Sequence, residues 1–384
     1  MKLFFCEVFK TYTAKTTIAA LKHMGHQVSD HLYATPEDIH GDAQTIGRIA
    51  SDIEKELPDA VFTINFWGVV AQACHDRDVP YIAWVYDSPM EIRDISPMSY
   101  DTNRIFLFDR TEYAKFLRMG MGTVFYLPLA ADIKAAGQLK PWQKPLEVSL
   151  VGSLYASTYS ALRSPMGAYE GGYLDAVAAA QQKIFAGYFV PELLTKDIID
   201  GINRTYAAHA NGSGGFAINA DQLSYSIAEE LTHRDRLLLL AMLSARFSTT
   251  LFTFDIRPED RRILSRVSVE KAVDYDTQMP RVFASSKINL NPILRANGDG
   301  IPLRALDVLG SGGFLLSSFR EDFLNYFLPE EEIVLYDSIE EAVEKAEFYM
   351  KNDALRKKIA HAGLERVRND FSYESRLEFM LKKI

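Results

Sequence analysis

The stretch richest in potential chemistry runs from Asn297 to Gly313, Asn-Gly-Asp-Gly-Ile-Pro-Leu-Arg-Ala-Leu-Asp-Val-Leu-Gly-Ser-Gly-Gly. Asp299 lies in a glycine loop, Pro302 stands near a helix start, and Asp307 falls inside the short helix that Gly310 and Gly312 terminate. Two carboxylates eight residues apart, one on a loop and one on a helix, can hold the two ends of an elongated ligand. The fixed charge and fork geometry of Arg304 suit a diphosphate. The plain alternative is a solvated pair, Arg304 and Asp307, three residues apart on a helix and worth little. The glycines favour the first reading, because so many around one short helix imply close backbone approach.

Other candidates sit where strands should end. Gly152-Ser153 follows an apolar run, and a glycine there lets backbone N–H groups approach a phosphate; taken alone it equally marks an ordinary turn. Asn65-Phe66-Trp67 and Tyr86-Asp87-Ser88-Pro89 close two further runs, making Asn65, Trp67 and Asp87 acceptor-side candidates. Asp87 could be a general base or an acceptor-binding carboxylate, or simply an Asx turn before Ser88-Pro89. Glu7 follows the first strand and could face the cleft into which such strand ends open. Asp109-Arg110 reads as a structural pair.

Several patterns fail on context. Gly212-x-Gly214-x-x-Ala217 has the letters of a dinucleotide fingerprint, but a helical pattern precedes it. No Walker A lysine occurs, and the eight histidines are scattered without a zinc-site spacing. Asp-x-Asp appears at Asp76/Asp78, on the wrong side of a strand, and at Asp274/Asp276, which reads as loop polarity rather than a metal site. Cys6 and Cys74 are the only cysteines and belong to no paired spacing, which fits a reducing compartment.

Those residues need a scaffold of alternating strands and helices. Apolar runs at Leu3–Phe9, Gln27–Leu32, Ala60–Ile64, Pro80–Tyr86, Ile105–Phe108 and Val124–Leu127 alternate with helical patterns, which argues for a parallel sheet covered on both faces. The Pro- and Lys-containing segment 138–145 reads as a linker between a domain over 1–137 and another over 146–370. The second repeats the alternation at Leu146–Val151, Thr249–Phe254, Ile288–Asn291, Phe314–Ser317 and Ile333–Leu335, interrupted by a largely helical region at 165–228. Within that region Met166–Tyr173 and Asn211–Gly215 read as mobile loops. Residues 371–384 form a last helix that could pack back on the first domain. The chain has 384 residues, 48% hydrophobic and 24% charged, so two cores can form. Its net charge of −9 offers nucleic acid or anionic lipid no global attraction. The start, Met1–Glu7, has too short an apolar stretch for a signal peptide, and no run approaches the ~18 residues of a membrane span, so the reading is cytoplasmic.

Three segments together resemble the CgeB-like (spore-maturation-protein type) glycosyltransferases of bacteria: Asp274–Pro280, Ser286–Asn291 and Gly300–Leu316. Ala362-Gly363-x-x-Arg366-Val367 and Tyr373-Glu374-x-Arg376-Leu377 agree. The resemblance is close over 229–384, looser at Trp84–Pro89, Tyr126–Pro128 and Val148–Tyr155, and weak over 165–228. It implies an α/β fold of GT-B type, two Rossmann-like domains facing across a cleft, with donor on the C-terminal and acceptor on the N-terminal one. In related retaining enzymes a glutamate before a Gly-Ile-Pro-like turn contacts the donor sugar, and a second, eight residues on, holds the ribose. Asp299 and Asp307 occupy those places, each one methylene shorter, with Gly300, Ile301 and Pro302 following Asp299 directly. The resemblance further implies that Gly152, Ser153 and Tyr155 receive the diphosphate and that Arg304 is a family arginine. The implied donor is a nucleotide-diphosphate sugar, UDP-linked, used without metal or other cofactor. The implied acceptor is a protein, such as flagellin or a spore-surface protein, or a polysaccharide. An inverting enzyme needs an acceptor-side base, for which Asp87 is the candidate; a retaining one needs none there. Two rivals remain: a non-catalytic sugar-nucleotide-binding or surface-assembly protein of the same fold, and an epimerase, whose glycine fingerprint after the first strand is missing.

Overall fold

The computed structural model describes residues 1–36, 38–39, 41–90, 92, 94–133, 139–209 and 217–384. Asn211–Gly215 and the first residue of segment 138–145 lie outside them. The chain divides into two compact units. One comprises Met1–Lys134, Asp299–Gly310 and Glu365–Ile384; the other comprises Ala135–Gly298 and Ser311–Leu364. The Asp299–Asp307 segment thus groups with the N-terminal residues.

The first unit is built on six parallel strands: β1 Lys2–Glu7, β2 Gln27–Leu32, β3 Ala60–Ile64, β4 Tyr81–Trp84, β5 Asn103–Leu107 and β6 Val124–Tyr126, in the order β2-β1-β3-β4-β5-β6. β3 and β4 are buried along their whole length, as strands covered on both faces must be, while β2 alternates polar residues and stays half-exposed at the edge. Helix Ala43–Glu56 starts on Asp42, whose carboxylate accepts from Thr45 N–H at 2.6 Å, and stops where Leu57 turns left-handed (φ 50°) before Pro58. The final helix, Tyr373–Leu381, sets Tyr373 edge-on to Trp84 and Phe379 edge-on to Phe106, and Arg376 Nε donates to Pro128 O at 3.0 Å.

The second unit carries β7 Leu146–Val151, β8 Thr249–Thr253, β9 Ser268–Lys271, β10 Ser286–Asn291, β11 Leu315–Ser318 and β12 Val334–Tyr336, all parallel, in the order β12-β11-β10-β7-β8-β9. The order in which successive strands are added reverses between β7 and β10, the switch point at which ligands bind in such sheets. The polar edge strand Ser-Val-Glu-Lys of β9 has no apolar periodicity, which is why it escapes the sequence reading.

Among the described residues between β7 and β8 are five helices, Tyr159–Arg163, Ala168–Gln182, Val190–Leu193, Lys196–His209 and Ala220–Ser244, with their own core around Leu174, Ile202, Leu223 and Ile227. The 25-residue helix Ala220–Ser244 serves two cores: Leu223, Ile227 and Leu231 pack in the helical one, Leu239, Leu240 and Leu243 against the sheet. The expected loop at Met166–Tyr173 is a correction. Ala168 opens a helix and Met166 is buried, because Gly171 lets the Arg163 guanidinium lie where a Cβ would stand, as Arg163 pairs with Asp175 at 2.8 Å.

At Gly313 an added Cβ would meet Asn289 Nδ2 at 2.7 Å and Phe283 O at 2.8 Å. Gly313→Ala is therefore expected to cost about 1–3 kcal/mol, visible as a lowered urea midpoint at unchanged m-value.

Candidate functional site

In the second unit the loop after β7 lies at the switch point. Gly152 has φ 154° and Tyr155 φ 62°, a left-handed value that a side-chain-bearing residue holds only when its surroundings fix it. Tyr155 N–H donates to Ser153 Oγ at 2.8 Å, folding the loop onto itself. Helix Ala220–Ser244 supplies the rest. His233 Nδ1 donates to Leu154 O at 2.8 Å. Arg236 donates to Ser153 O and, at 2.8 Å, to Pro292 O, so one guanidinium joins the loops after β7 and β10, the two strands flanking the switch. That guanidinium lies 4.8 Å from the Tyr155 ring centroid and 3.3 Å from where a Cβ on Gly152 would stand. A side chain at 152 would crowd Arg236 and would have to hold a φ that favours glycine. The loop after β10 is held by two buried arginines: Arg295, paired with Asp235 at 2.6 Å, and Arg320, whose Nε donates to Asn297 O at 2.9 Å. A half-buried cation beside a strained loop at a strand's carboxyl end is suited to a diphosphate.

In the first unit the polar groups gather after β3, β4 and β5. Asn65 is left-handed at φ 62°, its Oδ1 accepts from Tyr86 N–H at 2.8 Å, and its Nδ2 donates to Asp87 Oδ2 at 2.6 Å. Asp87 reaches solvent from a wall of protein; lost solvation pushes its carboxyl above the usual range, against the Asn65 bond. Behind it Ser88 Oγ donates to Asp109 Oδ2 at 2.5 Å, and Met90 N–H donates to Glu112 Oε1 at 3.0 Å. Burial first, then the Asp109 charge, pushes the Glu112 carboxyl up to about 8. Asp299 N–H donates to Asp109 Oδ1 at 3.2 Å, and Arg110 N–H donates to Asp299 O at 2.8 Å. Helix Leu303–Gly310 follows, with Ile301 and Asp307 buried and Arg304 half-buried, its guanidinium 3.5 Å from Asp307 Oδ2. A solvated pair this is not.

Glu7 and Trp67 direct their polar atoms to other partners. The Glu7 carboxylate turns back on its own loop, accepting from Thr11 N–H at 3.2 Å, and burial raises its pKa. Trp67 donates its indole N–H to Ile64 O at 2.9 Å and packs partly into the core of the first sheet. Asp274 accepts from Thr277 N–H at 2.8 Å, closing its own turn. Among the described residues no three or more His, Cys, Asp or Glu side chains cluster as a metal site would require, and no helix is long and apolar enough to cross a membrane.

Residues 237–382 match the family model described as glycosyl transferase-like, a segment that holds Arg304 and Asp307. No curated protein matches the sequence. Solved structures match over nearly the whole chain. A glycosyltransferase from Rickettsia africae has TM-score 0.60 at 10% identity, covering 99% of this chain and 98% of its own. Sucrose-phosphate synthase from Thermosynechococcus elongatus has 0.58 at 11%, covering 100% and 98%. Anabaena HepE, in complex with UDP-glucose, has 0.57 at 8%, covering 100% and 99%. The fold is GT-B. In this GT-B chain, sequence reasoning missed Arg236 and Glu112 and took Asp109 only as a structural pair with Arg110. Arg236 stands on a helix 83 positions beyond Ser153, with no local signal. Asp109 and Glu112 show the Asp-x-x-Glu spacing of a helix start, which reads as capping alone.

Proposed function

We propose that the protein is a metal-independent, CgeB-like bacterial glycosyltransferase that works in the cytoplasm. It moves a hexose from a UDP-linked sugar to a hydroxyl of a protein or glycan acceptor, the protein being of flagellin or spore-surface type. The observation that carries this reading is the loop at the β7/β10 switch point, where Gly152, Ser153 and Tyr155 are held around Arg236. The glycosyl transferase-like match over 237–382 supports it. In transfer, the anomeric C–O bond breaks with its electron pair going to the diphosphate, while the sugar ring gains positive charge. Backbone N–H groups and guanidinium groups stabilise the departing diphosphate without reorganising. Arg236 joins Gly152, Ser153 and Tyr155 in the diphosphate role that the sequence suggests for that loop, and Arg304 keeps the donor-binding role that the sequence suggests for it. Asp307 holds the ribose hydroxyls, Asp299 and the Gly300–Pro302 turn the sugar, and Asp87 with Asn65 the acceptor hydroxyl.

Thermal shift with UDP, GDP, TDP, CMP and NAD tests the reading. UDP at about 100 times its Kd should stabilise the protein by about 2.7 kcal/mol, and Asp307→Ala should remove that shift. A shift with none of them would favour the non-catalytic alternative.

A further inference from the structure

We infer that Asp109 is a positioning residue through which one carboxylate sets both the turn that carries Asp87 and the turn that leads to Arg304 and Asp307. The inference rests on the functional reading of those three residues. Asp109 is 1% exposed, at the corner between β5 and helix Arg110–Arg118. Its Oδ1 caps that helix, accepting from Thr111 N–H at 2.8 Å and Glu112 N–H at 3.4 Å. A cap requires no more than this.

Asp109 does more. Oδ2 accepts from Ser88 Oγ at 2.5 Å, fixing the residue next to Asp87, and Oδ1 also accepts from Asp299 N–H at 3.2 Å. The corner grips the second turn by backbone as well: Arg110 N–H donates to Asp299 O at 2.8 Å, and Asp109 bridges Gly300 in antiparallel fashion. Gly300 is required at that crossing, since a Cβ there would meet Phe108 O at 2.8 Å and Asp109 Cα at 3.0 Å. The glycine turn around Asp299 is thus shaped by the chain it crosses. Two turns far apart in sequence end on one buried side chain, so a shift in either is felt by the other.

Asp109→Ser separates this role from capping, because serine caps as well as aspartate but its single oxygen stands one bond short and cannot also meet Ser88 Oγ and Asp299 N–H. Hydrogen exchange read by mass spectrometry on peptides covering 86–90 and 299–303 should quicken about tenfold in both for Asp109→Ser, the loss of one hydrogen bond's worth of protection in each. It should quicken in 86–90 alone for Ser88→Ala. UDP affinity should fall about tenfold in Asp109→Ser and hold in Ser88→Ala. Unchanged exchange in 299–303 for a folded Asp109→Ser overturns the inference and leaves a helix cap. Should Asp109→Ser not fold, unchanged exchange in 86–90 for Ser88→Ala overturns it instead. Failure of the wild type to bind UDP counts against the functional reading alone, because the exchange result still decides what Asp109 holds.

Discussion

Asp87→Asn is expected to slow sugar transfer by roughly 10²–10⁴-fold while leaving UDP binding intact, the range a positioned general base contributes. As the new C–O bond forms, the acceptor hydroxyl must lose its proton; on the proposed reading Asp87 receives it on Oδ1, since Asn65 Nδ2 occupies Oδ2 at 2.6 Å. Asn65 can do this because its own amide is pinned from the other end by Tyr86 N–H. Asparagine at 87 keeps the size and loses the basicity. The pH profile supplies a second readout. Lost solvation raises the Asp87 pKa more than the Asn65 bond lowers it, so the acid limb of kcat/KM should lie above the ordinary carboxylate range of about 4. Asn65→Ala removes the opposing bond and should move that limb further up. Transfer by Asp87→Asn at a near wild-type rate would sink the base assignment.

Much of this was legible in the sequence, and the reasons for what was not are physical. Ala60–Ile64 and Leu146–Val151 match strands to the residue, because runs rich in buried apolar residues and bounded by turn residues have one sensible reading, and Gln27–Leu32 matches too, placed by the alternation around it. β9 was invisible because an exposed edge strand needs no apolar face. The glycines around Asp299–Gly313 did signal close backbone approach, but at Gly300, Gly310 and Gly313 what approaches is protein: Phe108 O, Asp132 O and Phe283 O, each 2.8 Å from a notional Cβ. Sequence alone distinguishes a glycine needed for a ligand from one needed for a chain crossing only when the crossing partner is adjacent. Here Phe108 and Gly300 are 192 positions apart (300 − 108), so the distinction was out of reach. The same distance hides Asp109, whose cap spacing is local but whose second and third partners are Ser88 and Asp299.

Glu112→Gln should leave stability nearly unchanged at pH 4 and raise it by about 1.4 kcal/mol for each pH unit between about 4.5 and about 8, measured by urea unfolding at pH 4, 6 and 9. Glu112 is 8% exposed and stands beside Asp109, with Asp87 further off and Lys115 opposing them one turn on. Its carboxyl titrates at about 8 in the folded chain against 4.5 ordinarily, so between those values the native state holds a proton that the unfolded chain has released. Stability therefore falls as pH rises through that window. Glutamine imitates the neutral acid, keeping an oxygen for Met90 N–H, which the native side chain accepts at 3.0 Å, and it does not titrate. A stability difference independent of pH would mean that Glu112 is already ionised at neutrality. The consequence reaches activity, because Met90 ends the turn that carries Asp87. Raising the pH first frees Asp87 to act as base and then places a second charge against Asp109, loosening that turn. Transfer should accordingly follow a bell-shaped pH profile, and Glu112→Gln should flatten its alkaline side while leaving the acid side where Asp87 sets it.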